Sequence, residues 1–373
     1  MKIFYYCLEY PTPMYLWQRA NIIGDLRRAG HEVIHFNPAT YGSMDAANEA
    51  AAAALRSTQG IDLFMTCDDS DTVYPETVRE VAKLGIPSLM IAWDNLELPY
   101  KQKAIAPLFD AVWLTSDETR YLFERWGCRN VIFAPYACSP YTYGPVETAS
   151  VRSVGFIGSP YGSRTNKLNH LTSGGVDVDV YANVLFDKGY TSSSATGRKE
   201  FSPRDIMVKA SRYMRFPIGR KVFAATIINK LSPAARLDTG SEHFHAHRSV
   251  SHEEMCRLYS AHTLSLNITE LRDTYVLSQP IPKLHLRTFE IPMCGGLQLT
   301  SRNPEIEQYF EDGREIVLYD SREEMIDKAR WYLDPARDTD VARMKAAART
   351  RAEREHTWMA RLNPIFASLG LNH

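Results

Sequence analysis

Short apolar runs alternate with amphipathic segments along the first half of the chain. Apolar runs of about four to eight residues predict buried strands, and apolar residues repeated at helical spacing predict helices between them. The predicted strands are Lys2 to Leu8, Glu32 to Phe36, Ile61 to Thr66, Ile86 to Trp93, Ala111 to Leu114 and Asn130 to Ala134. The predicted helices are Met14 to Ala29, Met44 to Ser57, one from Pro75 to Gly85 and one capped by Ser116 or Asp117. This alternation indicates an α/β domain with a parallel sheet.

The same alternation restarts after residue 150. The predicted strands are VRSVGFIGS, VDVDVYA, TLSLNIT, Leu297 to Thr300 and Glu315 to Tyr319, and the predicted helices are Arg164 to Leu171, Glu253 to Ala261 and Pro304 to Phe310. Ser251 with Glu254 and Ser321 with Glu324 have the spacing of capping boxes. Pro292 is predicted to lie in the first turn of a short helix, because a proline further inside would remove a hydrogen bond.

Two domains are predicted from the break between these halves. Gly144, Pro145 and small polar residues interrupt the pattern between Tyr143 and Ser150. We place the first domain at residues 1–148, the second at 149–355 and a final helix at 356–373. A chain of 373 residues has a natural length for two domains. The predicted fold class is α/β, with two Rossmann-like, doubly wound domains.

Composition limits the class of protein. A net charge of -1 with 45% hydrophobic and 23% charged residues is typical of a globular protein and excludes a general polyanion binder. The six cysteines form no CxxC pair, which favours reduced thiols in a cytosolic protein. The first residues lack the apolar core of a signal peptide, and no run approaches the ~20 apolar residues of a membrane span. We therefore expect a cytoplasmic location.

The second domain contains two features of a phosphate site. A predicted strand ends in a glycine turn at Gly158, and a short helix is predicted to start near Phe289. Ligands of parallel sheets bind at the carboxyl ends of the strands, where helix N-termini present free N–H groups. We therefore expect a phosphate-bearing ligand at this edge.

Four motifs in this order resemble the spore-maturation (CgeB-like) group of the GT-B glycosyltransferases: GFIGSPYGSR, HEEMCRLYSAHTLSLNIT, RTFEIPMCGG and HTWMARL. The resemblance is specific in residues 151–186 and 249–367, and in the first 150 residues it rests on the order of the elements. It implies a GT-B fold, in which two domains face a central cleft and a last helix, around His356 to Leu369, returns to the first domain.

The resemblance also implies an activity. The expected reaction transfers a sugar from a nucleoside-diphosphate sugar, with a UDP-sugar favoured, and it retains the anomeric configuration. The second domain would hold this donor, and the first would hold the acceptor: a polysaccharide, a lipid-linked glycan, a protein or a nucleic acid. The donor is a substrate, so the resemblance implies no cofactor and no required metal.

Individual residues take roles from the resemblance. Glu290 matches the glutamate whose carboxylate receives the ribose hydroxyls, and Gly158 matches the glycine of the diphosphate loop. Arg164 stands where the larger family has a phosphate-binding lysine. The full set of donor-binding candidates is Gly158, Ser159, Arg164, Lys283, His285, Arg287 and Glu290. The simple structural alternatives are a solvated carboxylate in the first turn of a helix for Glu290 and a surface arginine for Arg164.

The sequence departs from the family pattern in two ways. Pro282 stands where the larger retaining family has the first of two glutamates eight positions apart. The glycine loop before the second glutamate is replaced by a segment with Lys283, His285 and Arg287, whose positive charges would neutralise a leaving diphosphate. The missing glutamate supports an alternative, a degenerate GT-B module that binds nucleotide sugar or polysaccharide without turnover. A third hypothesis is epimerisation or hydrolysis of a nucleotide sugar.

Asp94 and Glu9 are the candidate catalytic residues, because each follows a predicted strand of the first domain. An inverting enzyme needs a general base, whereas a retaining one can use the leaving phosphate. Either residue can instead be a loop cap. Two metal-like patterns are discounted: the CDDSD segment, and the alternating His243, His245 and His247 without cysteine or carboxylate partners in sequence.

Residues 187–248 form a predicted basic insertion with twelve Lys or Arg and five acidic residues. Apolar residues at helical spacing lie among the basic ones and predict an amphipathic helix that stops at Pro217. Its apolar positions are Ile206, Met207, Ala210, Tyr213 and Met214. Residues 204–231 can thus make peripheral contact with an anionic membrane or bind a polyanion. The alternative is a helix that packs on its own domain or on a second subunit of a homo-oligomer.

Overall fold

The structure of the chain is a computed structural model that describes residues 1–11, 17–187, 203–232 and 234–371. The chain forms two compact units. The first contains Met1–Thr142 and His356–His373, and the second contains Tyr143–Glu355. The C-terminal helix therefore belongs to the unit that the N-terminal residues form, and the chain passes between the units at Thr142 and Tyr143.

In the part of the chain that the structure describes, six parallel strands form the sheet of the first unit. They are β1 (Lys2–Tyr6), β2 (Glu32–Phe36), β3 (Leu63–Thr66), β4 (Ser88–Ala92), β5 (Ala111–Leu114) and β6 (Val131–Phe133). Their order, β2-β1-β3-β4-β5-β6, reverses direction next to β1, as in a doubly wound sheet. All residues of the central strands β3 and β4 are buried. Apolar runs without alternation form such strands because both faces of the sheet are covered.

Helices with their own capping residues begin where the sequence predicts. Ser43 accepts a hydrogen bond from the N–H of Ala46 at 3.2 Å, and the helix runs to Ser57 as expected. Pro75 opens the next helix at its first position. The helices of this part are a π-helical turn Arg19–Ile23 that continues as α1 (Gly24–Arg28), then α2 (Met44–Ser57), α3 (Pro75–Lys83) and α4 (Arg120–Trp126). The first of these is shown from residue 17 onwards, so the predicted start at Met14 lies outside the described residues.

The second unit contains another parallel sheet, with six strands among its described residues. They are β7 (Val151–Ile157), β8 (Val178–Tyr181), β9 (Phe244–His247), β10 (His262–Leu266), β11 (Gln298–Ser301) and β12 (Val317–Tyr319), in the order β12-β11-β10-β7-β8-β9. Strand β9 corrects the prediction, because its residues were assigned to the insertion and instead pair with β8. Only one of its four residues is buried, so it carries no hydrophobic signal of a strand.

The helices of the second unit are α5 (Ser163–Ser173), α6 (Pro203–Tyr213), α7 (Pro217–Leu231), α8 (His252–Ala261), α9 (Arg287–Met293), α10 (Arg322–Leu333) and α11 (Asp338–Glu355), and the first unit ends with α12 (Trp358–Ser368). The caps of α8 and α10 are confirmed: Ser251 and Ser321 accept the N–H groups of Glu254 and Glu324 at 3.2 and 3.1 Å. None of the helices in the described segments has both the length and the apolar character that crossing a membrane requires.

Two predicted helices differ in the structure. Pro292 lies inside α9 and not in its first turn, because the helix begins at Arg287. Residues 288–293 are all buried, so packing outweighs the hydrogen bond that the proline removes. The helix predicted from Pro304 to Phe310 is reduced to a short 3-10 turn, Ile306–Gln308.

Candidate functional site

Strand β7 ends in a turn at Gly158, and this turn lies against Arg287. The φ angle of Gly158 is +144°, a conformation that side chains disfavour. A Cβ on Gly158 would lie 2.8 Å from Nη2 of Arg287, closer than such atoms approach. The φ angle favours glycine here, and the missing side chain lets the Arg287 guanidinium approach the backbone at the carboxyl end of the strand.

Arg164 brings a second positive charge to this turn. It lies at the start of α5, where its Nη1 donates to the carbonyl of Ser159 at 3.1 Å and its guanidinium lies 4.4 Å from the ring centre of Tyr161. Burial lowers the pKa of Arg164, the nearby positive charge of Arg287 lowers it further, and Tyr161 opposes both. Arginine nevertheless stays charged at neutral pH.

The structure thus brings together four predicted donor-binding residues: Gly158, Ser159, Arg164 and Arg287. Within the described segments, neither arginine forms an ion pair with a carboxylate. Two guanidinium groups near a strand end, neither of them in an ion pair, create a positive potential that favours an anion. Phosphate suits them, because a guanidinium can donate two parallel hydrogen bonds to it.

Glu290 is buried in α9, only 7% exposed. One of its carboxylate oxygens accepts a hydrogen bond from the hydroxyl of Tyr143 at 2.8 Å. Burial raises the pKa of Glu290, whereas the Tyr143 hydrogen bond and the positive charge of Arg287 act in the opposite direction. The carboxylate is therefore not the solvated helix-terminal group of the simple alternative.

Glu290→Gln is expected to raise the melting temperature at about pH 8. Because burial raises the folded pKa, the contribution of Glu290 to stability is complete below its unfolded pKa and is lost as the pH rises through the folded pKa. Glutamine removes the buried charge and keeps an acceptor for Tyr143. Thermal unfolding is measured from about pH 8 to about pH 4. The melting temperature of the variant should exceed that of the wild type at about pH 8, and this difference should shrink as the pH falls.

Tyr143→Phe is the matched control for Glu290→Gln. It removes the hydroxyl that donates to the carboxylate, so we expect a lower melting temperature at about pH 8. If the difference in melting temperature between Glu290→Gln and the wild type stays constant over the whole pH range, burial does not raise the pKa of Glu290 as assigned.

Lys283 and His285 lie in the connection between β10 and α9. The N–H of Lys283, a buried residue, donates to the carbonyl of Thr269 at 2.7 Å. The carbonyl of His285 accepts the N–H of Thr288 at 3.0 Å, at the start of α9. These contacts fix the backbone that leads to Arg287, and a role of either side chain in donor binding stays a prediction.

A cavity of about 510 Å³ lies at the carboxyl ends of β10, β11 and β12. The ammonium of Lys167 and the carboxylate of Glu270 meet in it at 2.9 Å, both nearly buried. Oε2 of Glu270 and Oγ1 of Thr269 are buried, and no hydrogen-bond partner for either atom lies among the residues that the structure describes. Buried acceptors without donors are costly unless a ligand supplies them.

Glu270 and Lys167 were missed by the sequence analysis. The family spacing places a first glutamate eight positions before Glu290, at the position where this chain has Pro282. Glu270 directly follows the strand segment TLSLNIT, and an acidic residue immediately after a buried strand is the signal that would have identified it.

In the first unit, the two candidate catalytic carboxylates have different surroundings. Glu9 is buried, and both of its oxygens accept hydrogen bonds from the Arg19 guanidinium. Asp94 is exposed just after β4, with a φ of +52°, and the Tyr136 hydroxyl lies 3.4 Å from its Oδ1. Asp94 thus offers the more accessible carboxylate of the two.

The metal-like patterns have other partners. Asp69 and Asp71 both contact the ammonium of Lys101, at 2.9 and 3.0 Å. His243 and His247 pair with Asp177 and Asp179, at 2.8 and 2.6 Å. Over residues 1–11, 17–187, 203–232 and 234–371, no group of three or more His, Cys, Asp or Glu is placed to hold a metal ion.

Comparisons with known proteins agree on the fold. A family model described as Glycosyl transferase-like matches residues 220–367. Among curated proteins, no sequence matches the chain. Solved structures that resemble it include sucrose-phosphate synthase from Thermosynechococcus elongatus, with 12% identity and a TM-score of 0.55, and HepE from Anabaena in complex with UDP-glucose, with 12% identity and a TM-score of 0.56.

A third similar structure is an alpha-glucosyltransferase in complex with UDP-glucose and DNA containing an abasic site, with 13% identity and a TM-score of 0.59. Each of the three similarities covers 99% of this chain and 99% of the other. Identities this low establish the architecture and leave the reaction to be argued from the residues. The chain has the GT-B fold of glycosyltransferases, with two Rossmann-like, doubly wound domains.

Proposed function

We propose that the protein is a glycosyltransferase that takes a sugar from a nucleoside-diphosphate sugar, with a UDP-sugar favoured, and retains the anomeric configuration. The observation that carries the proposal is the pair of guanidinium groups, Arg164 and Arg287, at the Gly158 turn of a GT-B fold. The similar structures that contain UDP-glucose support the choice of donor. The sequence motifs further support assignment to the spore-maturation (CgeB-like) group.

The residues of the site suit the charge changes of the reaction. Negative charge grows on the diphosphate as the bond to the sugar breaks, and Arg164 and Arg287 would stabilise it. The Glu290 carboxylate would accept hydrogen bonds from the ribose, with the Tyr143 hydroxyl holding it in position. Glu270 and Thr269 have buried acceptors that can receive the hydroxyls of a sugar.

Titration with UDP, GDP, dTDP and their glucose conjugates tests the donor, and release of UDP with and without candidate acceptors tests turnover. We expect UDP and UDP-glucose to bind and the acceptor to accelerate UDP release. Binding without any turnover would favour the degenerate module. Equal turnover with and without acceptor would favour hydrolysis or epimerisation. If none of the nucleotides binds, the proposal is wrong.

Asp94→Asn is expected to lower kcat by about 100-fold or more while leaving the affinity for UDP unchanged, because the Asp94 carboxylate would accept a hydrogen bond from the acceptor hydroxyl and orient it, while the leaving phosphate takes the proton. The reason for choosing it is its exposed carboxylate at the carboxyl end of β4. Isothermal titration measures UDP affinity, and UDP release with an acceptor measures kcat. Glu9→Gln serves as the comparison, since Arg19 already occupies that carboxylate. A kcat close to that of the wild type would remove Asp94 from the mechanism.

A further inference from the structure

Exposed large apolar side chains concentrate in the segment that contains helices α6 and α7. In the described segments, fourteen large hydrophobic residues are exposed, and six of them lie between residues 207 and 231. These six are Met207, Val208, Met214, Ile227, Ile228 and Leu231. Leu231 is 83% exposed and Met207 is 69% exposed. An exposed cluster of this kind marks an interaction surface more often than scattered single residues do.

One face of α7 is anchored on its own domain. Val222 and Ala225 are buried. Thr226 Oγ1 and Asn229 Nδ2 donate to the carboxylate of Asp273 at 3.2 and 3.0 Å. Packing within the domain therefore accounts for this face of the helix and for its position.

The opposite face of α7 remains exposed along its length. Its exposed positions recur at helical spacing: Arg220, Lys221, Ala224, Ile227, Ile228 and Leu231. This face is basic near the start of the helix and apolar near its end. Packing on the domain thus accounts for one face of α7 and leaves the opposite face exposed.

All charged residues between positions 206 and 237 are basic. Residues 206–237 contain seven Lys or Arg and no Asp or Glu. The exposed basic residues among them include Arg212, Arg215, Arg220, Lys221 and Lys230. Positive charges next to exposed apolar side chains are typical of helices that lie in the interface of an anionic membrane.

We propose that α6 and α7 form a docking surface for a lipid bilayer with anionic headgroups. The apolar side chains would enter the boundary between headgroups and acyl chains, and the basic side chains would contact the phosphates. A nucleic acid would satisfy the positive charges but would leave Leu231 and Met207 in water. A second copy of this chain would bury the apolar residues but would bring like charges together. Of these three occupants, the bilayer satisfies both features, and the surface is independent of the proposed donor site.

Co-sedimentation with vesicles tests this surface in the full-length protein. We expect binding to vesicles with about 30 mol% anionic lipid and much weaker binding to vesicles of phosphatidylcholine alone. Raising the salt concentration should reduce binding to anionic vesicles, because the charged contribution is screened. Absence of binding to anionic vesicles at low salt would overturn the proposal.

Two variants separate the apolar and charged contributions. Ile227→Ser with Leu231→Ser removes apolar side chains, and Arg220→Glu with Lys221→Glu reverses charge; we expect each pair to lower vesicle binding at least about tenfold. Leu84→Ser with Tyr121→Ser changes exposed residues of the first unit and is the matched control, with no expected effect. Unchanged thermal unfolding and UDP affinity would show that each variant is folded.

Other occupants of the surface give distinct results. A change from dimer to monomer in the Ile227→Ser, Leu231→Ser variant, measured by light scattering, would assign the surface to a second copy and overturn the proposal. The protein could also bind nucleic acid through Arg220 and Lys221 without needing Ile227 and Leu231. If the Ile227→Ser, Leu231→Ser variant then also keeps its vesicle binding, the proposal is overturned.

Discussion

Replacing Arg287 with alanine is expected to weaken the affinity for UDP and UDP-glucose by roughly 10- to 150-fold. The value corresponds to about 1.5–3 kcal/mol, the range for a hydrogen bond to a charged group. We expect this loss of affinity because the Arg287 guanidinium lies against the Gly158 backbone at the end of β7, beside the second positive charge of Arg164. Isothermal titration with each nucleotide measures the change.

Matched variants make this test specific. Arg287→Lys keeps the charge but loses the bidentate geometry, so we expect an intermediate affinity. Gly158→Ala should also weaken binding, because its Cβ would lie 2.8 Å from Arg287 Nη2 and displace the guanidinium. Arg257→Ala is the control in the same domain, since Arg257 pairs with Glu254 on α8 and should leave affinity nearly unchanged. Nucleotide affinity of a folded Arg287→Ala protein equal to that of the wild type would refute the site.

Trp358→Ala is expected to destabilise the first unit by about 3–5 kcal/mol, the range for removing a large aromatic side chain from a core. Trp358 is fully buried at the start of α12. Its ring centroid lies 5.3 Å from that of Trp17, 5.9 Å from that of Trp93 and 6.2 Å from that of Trp113. Loss of the indole would leave a cavity where the C-terminal helix joins this unit.

Calorimetry of Trp358→Ala should show a lower melting temperature for the transition of the first unit. Trp358→Phe should lose less stability, because the indole N–H has no hydrogen-bond partner within the described residues and a phenyl ring fills part of the space. Trp331→Ala, at a residue 53% exposed in the second unit whose ring lies 3.6 Å from the Arg337 guanidinium, should change the free energy of unfolding by about 1 kcal/mol or less. If Trp358→Ala lowers the free energy of unfolding as little as Trp331→Ala does, the packing assigned to α12 is wrong.

The sequence predicted correctly the ends of those helices that are set by capping residues next to them in the chain. Ser43 caps α2, and both ends of that helix agree with the prediction. The start of α9 differs from the prediction, because burial of the whole segment outweighs the hydrogen bond that Pro292 removes. Strand β9 was missed for a related reason: pairing with β8 holds it in the sheet, and only one of its four residues is buried.

The candidate site was predictable in part. The strand ending at Gly158 and the motif RTFE indicated the turn and the arginine that the structure brings together. The pair of Lys167 and Glu270 was missed, because these residues lie on different elements and the family spacing pointed to Pro282. The sequence showed that residues 204–231 are apolar and basic. It did not show which of these residues are buried against the domain.

The sequence by itself determined the α/β class, because hydrophobic periodicity and turn residues act over short distances, and it predicted two domains and a phosphate ligand. Only the tertiary structure decided which side chain fills the space at Gly158, that Tyr143 donates to Glu290 from 147 positions away, and which face of α7 stays exposed. Each of these depends on contacts between segments far apart in the chain, and the order of residues within one segment does not specify such contacts.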